Sequence, residues 1–186
     1  MSVAEIECFA GISGDMLLGA LIDAGVPAGL LQDAAASLGI GAHLQVRSVD
    51  RSGIRATKVD VLVEGHPAET AAAGHVHGEE HEHTHSHEHE QSHGHESEHK
   101  HEHVHGRKWP EIRALIASAA IPEGAKAIAQ RAFALLAEAE AKMHGIPAEK
   151  VHFHEVGAVD TITDIVCAAV GADSLGVTEW RCSAGE

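Results

Sequence analysis

A histidine-rich segment in the middle of the chain most constrains what this protein can fold into. Between Gly74 and Gly106, 13 of the chain's 18 histidines alternate mainly with Glu, Ser, Thr and Gly, and Val76 and Val104 are the only large apolar residues. Such a segment cannot bury enough apolar surface to offset the entropy lost on ordering it. The composition therefore predicts a disordered loop at 74–106, with the folded protein built from the chain on either side.

The composition outside this loop is that of a small folded protein. The 186 residues are 44% hydrophobic but only 3% aromatic, which predicts a core of aliphatic side chains. A formal net charge of −15 argues against binding to nucleic acid or to an anionic membrane surface. No apolar run approaches the roughly 18 residues of a spanning helix. Cys8, Cys167 and Cys182 form no spaced motif, so we expect a reduced, cytoplasmic setting.

Strand and helix patterns follow one another without a repeated unit. Apolar spacing and Gly or Pro boundaries predict strands at 6–9 and 177–182 and a hairpin through 44–63. They also predict a first helix through 17–22, closed by Gly25, and further helices at 27–38, 109–119, 122–143 and about 157–175. In the helix at 122–143, one apolar stripe contains Ile128, Ala132, Leu135, Leu136, Ala139 and Met143. The order favours an α+β fold, in which a mixed sheet packs with helices in a single domain over 1–186, interrupted by the histidine loop.

The histidine loop itself predicts metal binding. Imidazole is a good ligand for nickel, zinc and copper, and a mobile segment rich in imidazole can form many alternative sites. Because a ligating imidazole must be neutral, binding should weaken as the pH falls through about 6.5. A tolerated low-complexity insert with incidental metal affinity is the alternative. The candidate ligands in the loop are His75, His77, His81, His83, His85, His87, His89, His93, His95, His99, His101, His103 and His105.

A second candidate site is the turn in which the first strand enters the first helix. Gly11, Ser13 and Gly14 allow a ligand to approach backbone N–H groups closely, and Asp15 follows them. The turn lacks the Lys of a P-loop and the third Gly of a dinucleotide fingerprint, and Asp15 stands where a hydrolase elbow has its last Gly. The structural alternative makes Ser13 an N-cap and Asp15 a first-turn acid favoured by the helix dipole.

The densest cluster of possible ligands outside the loop begins at His152. His152 and His154 alternate on an extended segment, Glu155 follows, and Asp160 and Asp164 lie one helical turn apart on the next helix. The same helical face continues through the small residues Ala168 and Gly171, which predicts that another element packs closely there. The alternative is a solvated acidic face with two capping histidines.

Three stretches together resemble the LarC family of nickel insertion proteins, which act in the biosynthesis of the nickel-pincer cofactor. These stretches are 9–16 (FAGISGDM), 137–145 (AEAEAKMHG) and 152–160 (HFHEVGAVD), in the family's order and spacing. The resemblance implies a lyase-class chelatase that inserts Ni²⁺ into pyridinium-3,5-bisthiocarboxylic acid mononucleotide, using CTP and Mg²⁺ or Mn²⁺. Together with the residue patterns above, it leads us to expect catalytic roles for Asp15, His154, Glu155 and Asp160, precursor binding at Gly11, Ser13 and Gly14, and metal binding at His152 and His154.

The resemblance also implies that the chain acts with a further part. Family proteins are longer, and their C-terminal domain, with the CTP site, has no counterpart here; Cys167 also replaces a usual Gly or Ala. We therefore expect an N-terminal module whose partners are the precursor and a C-terminal domain or chain, with no nucleic acid or membrane, and homo-oligomerisation left open. Two alternatives remain: a non-catalytic nickel or zinc storage and delivery metallochaperone, and a hydrolase that uses Ser13.

Overall fold

The computed structural model describes residues 2–8, 11–63, 66–67, 106–153 and 156–183. Almost all of the predicted histidine loop, together with His154 and Glu155, lies outside these residues. The described strands are β1 (Val3–Ile6), β2 (Ala42–Arg51), β3 (Ile54–Val63), β4 (His66–Pro67), β5 (Arg107–Lys108), β6 (His152–Phe153) and β7 (Glu179–Cys182). The described helices are α1 (Gly14–Asp23), α2 (Ala28–Ser37), α3 (Trp109–Ser118), α4 (Glu123–His144) and α5 (Val159–Ser174), with a 3-10 turn at Ala148–Lys150.

The described strands form three small sheets. β2 and β3, ten residues each, make an antiparallel hairpin in which Ala42 pairs with Val63 and Arg51 with Ile54, and β4 extends it. β1 pairs in parallel with β7, although these two strands lie near opposite ends of the chain. β5 and β6 form a short antiparallel ribbon. Helices combined with parallel and antiparallel strands confirm the predicted α+β class.

The hairpin buries one face, as its alternating pattern predicts. Leu44, Val59 and Val61 point into the core, while the residues between them are more exposed. α1 lies against β3 at Gly19, where an added Cβ would come within 3.3 Å of the Thr57 carbonyl carbon and closer still to its oxygen. The first helix is therefore held directly on the sheet.

α5 passes through the centre of the core and contacts α1, α2 and α4. Its buried residues include Ile162 and Val166, as the apolar spacing predicts. On another side, Gly171 lets α1 approach, because a Cβ there would be 2.9 Å from Leu21 Cδ1. This contact confirms that another element packs closely along the small-residue face of α5.

Three aromatic rings add to the largely aliphatic core. Trp109 stacks on Phe133 with ring centroids 6.3 Å apart, and Phe133 meets Phe153 edge to face at 6.2 Å. All three side chains are buried. They join α3, α4 and β6, so the start of the 152–160 segment is anchored through Phe153.

Two predictions about the elements were wrong in detail. The first strand lies at 3–6, where its backbone pairs with β7, and residues 7 and 8 of the predicted strand fall outside it; residue 9 is not among the described residues. The stripe predicted on α4 is not its buried face, since Ile128, Leu135 and Met143 are exposed. The buried residues are instead Ala125, Ala129, Phe133 and Ala137. Small alanines at four-residue spacing let neighbouring helices approach closely, and this packing outweighs the larger side chains on the other face.

None of the helices within the described residues is long and apolar enough to cross a bilayer.

Candidate functional site

The turn before α1 places Ser13 and Asp15 side by side. Ser13 occupies the N-cap position with an extended backbone, as predicted, but its side chain makes no capping hydrogen bond. Its hydroxyl instead donates to the Asp15 carboxylate. Gly11 has a φ of +81°, a conformation that favours glycine, and its N–H donates to the Cys8 carbonyl at 3.1 Å. The turn is thus fixed by local bonds, with the Asp15 carboxylate at the start of the helix.

The closest contact in this region joins α1 to α5. Gly14, the first residue of α1, packs against Asp164 so tightly that an added Cβ would lie 2.7 Å from Asp164 Cβ and would overlap the carboxylate. The Asp164 side chain is half-buried and lies beside the first residue of α1. Two separately predicted parts of the site, the 11–15 turn and the acidic face of α5, are therefore adjacent.

Lys58 on β3 is a member of this region that sequence reasoning missed. Its Nζ lies 3.8 Å from Asp15 Oδ2 and 3.0 Å from Asp60 Oδ1. Arg47 on β2 also binds Asp60, at 2.9 Å. Burial raises the pKa of Asp60, but the hydrogen bonds and positive charges of Lys58 and Arg47 outweigh this, so the net pKa is lowered. Asp60 therefore stays ionised and helps hold the Lys58 ammonium beside Asp15.

The other half of the predicted cluster begins on the β5–β6 ribbon. His152 pairs with Lys108 in the ribbon and is exposed, whereas Phe153 beside it is buried. The chain then returns to α5 through Gly157, where an added Cβ would lie 2.5 Å from both the Phe153 carbonyl oxygen and the Arg107 nitrogen. The Arg107 guanidinium, which sequence reasoning also missed, donates to the Gly157 carbonyl at 3.1 Å. This close approach fixes the described residues on both sides of His154 and Glu155.

Asp160 and Cys167 lie on α5 in different electrostatic surroundings. Asp160 is half-buried in the first turn, and its carboxylate accepts a hydrogen bond from the Thr161 N–H at 2.8 Å. Burial, and then the negative charge of Asp164, raise the pKa of the Cys167 thiol to about 12. Cys167 is therefore protonated at neutral pH and is a poor candidate for a nickel ligand.

The described residues contain no group of three or more His, Cys, Asp or Glu side chains that could hold a metal ion. The metal-ligand prediction for His152 and His154 remains a prediction, because His154 lies outside these residues. The same holds for the catalytic role of Glu155 and for the ligands of the histidine loop. What the described part does contain is the junction of Ser13, Gly14 and Asp15 with Asp164, flanked by Lys58.

Comparison with known proteins gives one consistent result. A family profile described as nickel insertion protein matches residues 4–186. The chain is 40% identical over 178 residues to the pyridinium-3,5-bisthiocarboxylic acid mononucleotide nickel insertion protein of Geobacillus kaustophilus, covering 95% of this chain and 37% of that protein. It is 39% identical over 178 residues to the protein of the same name from Desulfitobacterium hafniense, covering 95% of this chain and 35% of that protein.

No solved structure gives a significant match. The chain spans little more than a third of the length of these relatives. The profile match nevertheless extends over almost all of its residues. The chain therefore belongs to the nickel insertion protein family, as its resemblance to the LarC family predicted.

Proposed function

We propose that this chain is the nickel-receiving part of a cytoplasmic chelatase that inserts Ni²⁺ into pyridinium-3,5-bisthiocarboxylic acid mononucleotide. The observation that supports this most directly is the contact between Gly14 and Asp164. It brings the 11–15 turn against α5, one helical turn beyond Asp160, the last residue of the 152–160 segment, so that two of the three family-like stretches adjoin one region. The name of the G. kaustophilus relative supplies the precursor.

The proposed path of Ni²⁺ through the protein follows from the chemistry of its ligands. The histidine loop collects Ni²⁺ on imidazole nitrogens, and His152, His154, Glu155 and Asp160 receive it near the start of α5. Nitrogen and oxygen ligands hold the ion loosely enough for the softer thiocarboxylate sulfurs of the precursor to take it. Ni²⁺ is thus cargo that ends bonded to sulfur and carbon atoms of the precursor.

The precursor would lie along the turn before α1. Gly11, Ser13 and Gly14 give it access to backbone N–H groups, and Asp15 with Lys58 presents a carboxylate and an ammonium side by side. In this arrangement Asp15 contacts the reacting groups, and Lys58 limits the repulsion between Asp15 and an anionic precursor.

The relatives are much longer than the part of them that this chain matches. We propose that a C-terminal domain or partner chain binds CTP with Mg²⁺ or Mn²⁺. The short coverage of the relatives, 35–37% of their length, leaves ample sequence for such a domain. The present chain would supply nickel and the 11–15 turn to the complete assembly.

The test is nickel incorporation by the chain combined with the remaining part of the G. kaustophilus relative. We expect His154→Ala and Glu155→Gln each to abolish formation of the metallated cofactor, measured by its absorbance, while the histidine loop still binds nickel. His43→Ala, at an exposed histidine on β2, is the matched control and should insert nickel at the parental rate. Parental rates in both site variants, with normal folding, would place insertion elsewhere.

A second candidate function is storage and delivery of nickel or zinc without catalysis. It is favoured by the 13 histidines between 75 and 105, which could by themselves constitute the function. In that case the folded part serves only to dock a partner. Both site variants would then deliver metal as the parent does, and no assembly would form the metallated cofactor.

A further inference from the structure

Two cysteines that are far apart in the sequence lie in contact in the structure. Cys8 follows β1, and Cys182 is the last residue of β7, the strand that pairs with β1 in parallel. Their Sγ atoms are 3.6 Å apart. The Cys8 N–H donates to Ser183 Oγ at 2.7 Å, and the Ser183 N–H donates to the Ile6 carbonyl at 2.9 Å. Backbone pairing and a side-chain bond therefore hold the two sulfurs together.

The two thiols differ in their access to solvent. Cys182 is exposed, whereas Cys8 is buried. The hydrogen bond with Cys182, followed by burial and the Cys182 charge, raises the pKa of the Cys8 thiol. Cys182 is thus the thiol that a dissolved reagent meets first, and Cys8 is placed to attack whatever forms on it. Cys167, buried in α5, lies outside this pair and provides an internal comparison.

We propose that Cys8 and Cys182 form a dithiol that closes to an intramolecular disulfide by exchange with a small-molecule disulfide such as oxidised glutathione. In the first step the Cys182 thiolate attacks one glutathione sulfur, giving a mixed disulfide and one glutathione thiolate. In the second, the deprotonated Cys8 sulfur attacks the Cys182 sulfur and releases the second glutathione. The protein dithiol loses two electrons and two protons, and one oxidised glutathione becomes two reduced molecules.

Closing the bond requires a modest movement. A disulfide has an S–S length of about 2.05 Å, so the sulfurs must approach by roughly 1.5 Å from their present contact. All four residues of β7 are exposed, so this strand can shift without disturbing buried packing. The bond would tie β1 to β7 across 174 positions of sequence. It would also lie beside the turn before α1, since the Cys8 carbonyl accepts the Gly11 N–H.

The experiment exposes the reduced full chain, with metal removed by a chelator, to buffers of increasing oxidised-to-reduced glutathione ratio. Samples are quenched with acid, unfolded in denaturant and then alkylated at neutral pH, and their intact masses and cysteine-containing peptides are measured. We expect the parent to lose two alkylatable thiols and two hydrogens in mass, with Cys8 linked to Cys182 and Cys167 still alkylated. The melting temperature should rise in the oxidised form and return to its starting value after reduction.

Three variants separate the steps. Cys8→Ser should retain glutathione on Cys182, because the thiol that resolves the mixed disulfide is gone. Cys182→Ser should gain little glutathione, because the remaining Cys8 is buried. Cys167→Ser should form the internal disulfide as the parent does. A parent chain that keeps glutathione on Cys182 without an internal disulfide, or that pairs either cysteine with Cys167, would overturn the proposal. This result does not depend on nickel insertion, so the two proposals can fail independently.

Discussion

Among single residues, Gly14 is under the tightest steric constraint at the candidate site. A Cβ at this position would overlap the Asp164 carboxylate, so Gly14→Ala must push α1 away from α5 or displace Asp164. We expect a loss of about 1–3 kcal/mol in unfolding free energy, measured by urea titration. Gly29→Ala is the matched control, because Gly29 is also near the start of a helix but has no atom within 4 Å of its Cβ position. The control should be neutral or slightly stabilising, and equal losses in both variants would contradict the packing argument.

Asp15 and Ser13 provide the second test at the residue scale. Because Ser13 makes no capping bond, Ser13→Ala should cost at most about 1 kcal/mol and leave metal transfer largely intact. Asp15→Asn keeps the shape but removes the charge beside Lys58, so it should impair nickel transfer more than folding. Paired measurements of transfer rate and melting temperature decide this. A Ser13→Ala protein that melts normally but is inactive would revive the hydrolase interpretation.

Between elements, Asp23 connects the end of α1 to β3. Its carboxylate accepts hydrogen bonds from the Thr57 hydroxyl at 2.7 Å and from the Thr57 N–H at 3.0 Å. These bonds, the hydroxyl first, lower the pKa of Asp23 in the folded protein. A lowered folded-state pKa contributes stability that is present above the unfolded value, about 3.9, and is lost as the pH falls through the folded value.

This connection predicts a pH-dependent difference in stability. The unfolding free energy of the parent should exceed that of Asp23→Asn by a constant amount at neutral pH, and the difference should shrink below about pH 4. Urea unfolding across this range measures it, with Asp33→Asn, at an exposed carboxylate on α2, as the control. A difference that stays the same on acidification would show that the Asp23 charge has no part in holding α1 on β3.

The buried faces of the strands could be predicted from the sequence, whereas the buried face of α4 could not. Strict alternation identified Val59 and Val61 as buried, because a strand offers only two faces. A helix can turn any of its sides toward the core. The apolar pattern of α4 therefore did not identify the buried row around Phe133, where close packing of small residues outweighed the burial of larger side chains. Lys58 could not be assigned to the site, because a charged residue on the exposed face of a hairpin has no local signal. Only the packing of α1 on β3 and α5 brings Lys58, Asp15 and Asp164 into one region.

For the whole molecule, the histidine loop and the folded part should be separable. Deleting residues 74–106 removes 13 histidines and almost no apolar side chains, so the melting temperature should barely change. Metal stoichiometry, measured by isothermal titration calorimetry, should fall from several ions to about one or none. A large drop in melting temperature would show instead that the loop supports the fold.

Nickel insertion is distinguished from nickel storage by mixing this chain with the precursor and Ni²⁺. One mixture also contains the remaining part of the G. kaustophilus relative with CTP and Mg²⁺, and the other does not. Absorbance of the metallated cofactor measures insertion, and dialysis with metal analysis measures nickel bound to the chain. We expect nickel binding in both mixtures and cofactor formation only when both protein parts are present. Nickel bound by the chain, with no metallated cofactor in the complete mixture, would contradict insertion and leave storage and delivery as the function.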